Sequence, residues 1–229
     1  MSEIAIFRQL ADNDRQPIAN IPLMDFLKLN ERIMELIDGE KFDAAEAELH
    51  QAKLQASNAA DHQALDHVLS LLVTLSSVKQ PPDLSKAEAY CLERERVIGT
   101  GYAKAQYAMT LYWAMDDPAR TVTKAREAIA ASRHEGDDKT VYQSFGLLGL
   151  ALLDLHRDDE AIRVLDQIHK MVAERRRIVV GDETLFLERM LAQTKHMKTT
   201  TTIQGLAKTL SPVCPDAAFK ARLQKLTDA

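Results

Sequence analysis

Turn-forming clusters interrupt this chain at short, fairly even intervals, and between them apolar residues recur three and four apart. The breaks stand at Asp38-Gly39, Pro81-Pro82-Asp83, Asp116-Asp117-Pro118, Gly136-Asp137-Asp138, Arg157-Asp158-Asp159, Gly181-Asp182 and Ser211-Pro212. Spacings of three and four gather side chains on one side of an α-helix, whereas a strand needs a period of two. The pattern therefore constrains the chain to helices joined by short loops. Between Leu23 and Ile37, the residues Leu23, Phe26, Leu27, Ile33, Met34 and Ile37 share a broad face, and Asp25, Lys28 and Glu31 fall elsewhere. Ser85 followed by Glu88 has capping-box spacing and is expected to start a helix just after the two prolines.

Composition agrees with an all-α fold class. Glycine occupies 8 of 229 positions, about half the usual share of roughly 7%, and turn-rich β architectures need more. The two β-prone stretches, Arg177 to Val180 and Thr199 to Ile203, neither alternate at length nor have a partner run, so no sheet is expected. Apolar residues at 46% and charged residues at 28% exclude a disordered chain and an integral membrane protein. Cys91 and Cys214 stand far apart with no CxxC spacing. Neither a disulfide framework nor a structural zinc site is expected, and a reducing, cytoplasmic location follows. The first residues carry no apolar run of signal-peptide length, and no stretch approaches the roughly 18 apolar residues of a membrane span.

Net charge is −5, unevenly spread. Residues 186–229 carry seven basic and three acidic side chains, +4, which leaves −9 for residues 1–185. An acidic body does not suit phosphate neutralisation, so nucleic acid is not an expected partner. The basic end reads as a solvated helix face.

Self-comparison gives the strongest signal. Phe145, Leu148-Gly149, Leu152, Ala161 and Leu165, with Ile168 in place of an expected alanine, lie at offsets that resemble the tetratricopeptide repeat, a helix-turn-helix unit of about 34 residues. A second match runs through Ile33, Leu36, Phe42, Ala45, Leu49 and Ala52, a third through Ala87 and Cys91, and a fourth through Ala105 to Leu111 and then Thr121, Ala125 and Ala128. The small anchors Ala45, Ala87, Thr121 and Ala161 are 42, 34 and 40 residues apart, so the period is irregular. Gly149 and Ala161 are expected to face each other where two helices cross closely. The resemblance implies a tetratricopeptide-like α-solenoid of about four helical hairpins with a C-terminal capping helix. It divides the chain into an extension at 1–22, a repeat domain at 23–199 and capping helices at 200–229, where Phe219, Leu223 and Leu226 form a stripe.

Chemistry is sparse. His62 and His67 are five apart and cannot face one ion from a helix, and Arg175 to Arg177 read as complementing a helix end rather than holding phosphate. No nucleophile elbow, zinc-protease helix, Walker loop or dinucleotide glycine motif occurs. No metal, no cofactor and no catalytic activity are expected. The resemblance implies instead a concave groove that binds a peptide or helix of another protein. Its lining falls at Leu27, Asn30, Met34, Gln106, Thr110, Trp113, Gln143, Gly146 and Leu150. The lysine and asparagine clamp of chaperone-binding members is missing at these positions, which points to an apolar ligand. The expected function is a non-catalytic adaptor or small chaperone. The alternative is a regulatory helical domain acting on nucleic acid or a signalling enzyme through a basic face at Arg175, Lys195, Lys198, Lys220 and Arg222.

Overall fold

Aspartates start several of the helices. Asp61, Asp83, Asp117 and Asp137 each stand one residue ahead of a helix, and each side chain accepts from a backbone N–H two or three residues on, at 2.9–3.1 Å. This satisfies donors that the first helical turn leaves unpaired. After the proline pair the cap is therefore Asp83 and not Ser85, which already lies inside the helix because the Asp83 carboxylate takes the Lys86 N–H.

The computed structural model describes residues 26–174, 182–193, 197–214 and 217–227. Among them every regular element is helical. In chain order these are α1 (Phe26–Asp38), α2 (Phe42–Asn58), α3 (His62–Val78), α4 (Leu84–Val97), α5 (Gly101–Trp113), α6 (Pro118–Glu135), α7 (Asp138–Asp154), α8 (Asp158–Ala173), α9 (Asp182–Gln193), α10 (Met197–Leu210) and α11 (Ala217–Thr227), with a short 3₁₀ turn at Ser211–Val213. The β-prone run at Thr199 lies within α10; that at Arg177 lies outside the described residues.

One turn design recurs. At the ends of α1, α2, α6 and α7 a single residue takes a left-handed conformation: Glu40, Ala60, Gly136 and His156, with φ of 51–74° across the left-handed positions of the chain that include Asp116 and Gly99. The next amide then reaches back to a carbonyl five residues earlier, as in Lys41 to Leu36, Asp61 to Ala56, Asp137 to Ser132 and Arg157 to Leu152, at 2.8–2.9 Å. These bonds pair carbonyls that a helix end leaves without partners and turn the chain within three residues.

Contacts divide the described residues into two compact units, 26–99 with 113–115, and 100–112 with 116–227. The division at 99–100 falls inside the span 23–199. In the first unit α1 buries Ile33, Leu36 and Ile37, and α2 offers the small residues Ala45, Ala52 and Ala56 beside Leu49. The helix α3 is apolar on most sides, with Val68, Leu69, Leu72 and Leu75 all at 2% exposure or less, and it packs between α2 and α4. Arg32 of α1 reaches across to Glu48 of α2 at 3.3 Å. The α3/α4 pair is fixed by a two-pronged ion pair of Arg94 with Asp66, at 2.5 and 3.0 Å. In the second unit α7 is hemmed in by α6, α8 and α9. A helix enclosed on so many sides must be apolar all round, and α7 buries Phe145, Leu147, Leu148, Leu150, Ala151, Leu152 and Leu153. The stripe Phe219, Leu223 and Leu226 is buried against α9 and α10.

The four anchors Ala45, Ala87, Thr121 and Ala161 are all at 0% exposure, the condition for close helix crossings. One expected pairing differs. The nearest neighbour of a side chain at Gly149 is the ring of Phe186 on α9, 2.6 Å from where a Cβ would stand, and not Ala161. The glycine is needed because a bulky ring from the helix two further along, rather than a small residue from the adjoining one, fills the crossing.

Candidate interaction site

Alternate helices are tied by side chains at a fixed sequence offset. Between α2 and α4, Lys86 donates to Glu46 at 2.5 Å, Tyr90 Oη meets His50 Nε2 at 3.3 Å and Lys53 donates to Glu93 at 2.6 Å, each pair 40 residues apart. Later residues of one helix pair with later residues of the other, so α2 and α4 lie side by side and point the same way. In the second unit the same holds for α6 and α8, where Arg126 donates to Glu160 at 2.5 Å and Arg133 to Gln167 at 3.4 Å, both 34 residues apart. The last turns of α5, α7 and α9 are joined as well. Tyr112 donates to Asp154 at 2.7 Å, and Arg189 donates to both, at 3.1 and 2.5 Å. Burial, and then the Asp154 carboxylate, push the Tyr112 phenol well above its usual range. It is a fixed hydrogen-bond donor and not an acid or base at neutral pH.

The groove positions expected from the sequence fare unequally. Gln106, Thr110 and Leu150 are exposed by 3%, 0% and 1%, and Gly146 is buried with them. These four present no surface to a partner. Thr110 spends its hydroxyl on the carbonyl of Gln106 at 3.0 Å within α5, and Gly146 and Leu150 sit on the enclosed helix α7. Gln143 and Trp113 are half-buried. The structure does bring Leu27, Asn30 and Met34 together: their spacing puts them on one flank of α1, with Leu27 at 57% exposure and the other two half-buried. That flank is opposite Arg32, which reaches to Glu48 on α2, and it ends at Phe26, whose ring meets His67 on α3 edge-on at 5.1 Å.

Sequence reasoning missed what borders this flank. Glu31, Glu35 and Asp38, all exposed, run at intervals of four and three along α1. Glu31 follows Leu27 by one helical turn and lies roughly 40° round the helix from it. The signal was available, since the three acids repeat at helical spacing within the segment already read as amphipathic.

Elsewhere the expected features are scattered. Among the described residues no group of three or more His, Cys, Asp and Glu side chains is placed to hold a metal ion; Asp66 is engaged with Arg94 and His67 with Phe26. Cys91 and Cys214 are both buried. Of the basic end, Arg175 to Arg177 and Lys195 lie outside the described residues, as does the side chain of Lys198, and Arg222 donates to Glu188 at 2.9 Å. No helix among the described residues is long and apolar enough to cross a membrane. No protein-family model matches the chain, and no curated protein matches it either.

Proposed function

We propose that this chain is a non-catalytic protein-binding module, built as a tetratricopeptide-like stack of helical hairpins, that holds an apolar or helical segment of another protein. The observation that carries this reading is the recurrence of side-chain ties at offsets of 40 in one unit and 34 in the other. Such ties are what a repeat of helix pairs produces when each pair stacks on the last. The fixed turn design and the buried small anchors support the same reading. The binding surface within it is the flank of α1 formed by Leu27, Asn30 and Met34, of which Leu27 is 57% exposed.

Affinity capture from native cell lysate tests this function. The full chain is expected to retain a partner that the variant Leu27→Asn/Met34→Asn, folded by circular dichroism, retains at least tenfold less, a difference of about 1.4 kcal/mol. Equal recovery by both would refute the α1 site. Small-angle scattering tests the architecture: a single compact domain of this length has a radius of gyration near 17 Å, and a stack of hairpins exceeds it.

A further inference from the structure

We draw no further inference here: the strongest candidate, the outer surface patch of the first unit where Leu54 on α2 and Leu92 on α4 stand 55% and 50% exposed, is an apolar face and nothing in the structure shows what covers it.

Discussion

The ring of Phe186 on α9 rests against the backbone of α7 at Gly149, so near that the Cβ of any other residue would come within 2.6 Å of it. Phe186 is itself at 0% exposure, so the ring is covered by protein on every side. Interiors packed to this density transmit even one added methyl group as displacement. Gly149→Ala is therefore expected to lower stability by about 1–3 kcal/mol despite the better helix propensity of alanine. Denaturant unfolding measures it. In the background of Phe186→Leu the same change should cost less, and a double-mutant cycle showing no coupling between the two positions would contradict the contact.

Arg94 gives the largest expected single loss. Its side chain is 2% exposed, and Asp66, its two-pronged partner, is 26% exposed. Removing the carboxylate takes the two-pronged partner from a buried cation, whereas removing both charges does not. Asp66→Ala should destabilise by about 3 kcal/mol, and Asp66→Ala/Arg94→Met by clearly less. A double variant as unstable as the single one would show that the pair matters for packing rather than for charge.

Three of the recurring turns place a side-chain-bearing residue where glycine is preferred. Ala60 has a φ of 52° and is exposed, so its methyl group strains the turn and gains no burial in return. Left-handed backbone costs such a residue roughly 1–2 kcal/mol relative to glycine, less the greater unfolded-state freedom of glycine. Ala60→Gly is expected to stabilise by about 0.5–1 kcal/mol on balance. A thermal midpoint that falls instead would mean that the turn is not left-handed.

Acid sensitivity in the first unit should centre on Glu46. The hydrogen bond from Lys86 is the main cause that holds its carboxyl below the ordinary value of 4.5, with the charges of Lys86, Lys79 and His50 adding to it against a desolvation that works the other way. A folded-state pKa lowered in this way contributes stability that is fully present above about 4.5 and is lost as pH falls through the folded value. Unfolding free energies of the native chain and of Glu46→Gln should thus converge as pH drops below about 4.5, the variant having no carboxyl there to protonate. Parallel pH profiles would remove Glu46 from the acid response.

The helical class, several of the turns between helices and much of the buried set are legible along the chain. Those properties are local or periodic: Asp117 and Asp137 stand in turn clusters and cap by reaching their own next turn, and Ala45, Ala87, Thr121 and Ala161 recur as small residues at helix crossings. The stripe of Phe219, Leu223 and Leu226 was legible for the same reason. Tertiary structure alone decided which faces remain open. Gly146 and Leu150 share a helical spacing with surface residues, yet α7 is covered by three neighbours, a fact that depends on residues as distant as Phe186, and Gln106 and Thr110 on α5 are buried just as fully. The partner of Gly149 and the offsets of 40 and 34 between tied helices likewise follow from how helices stack. Spacing along one helix fixes a direction around its axis, and only packing fixes what lies in that direction.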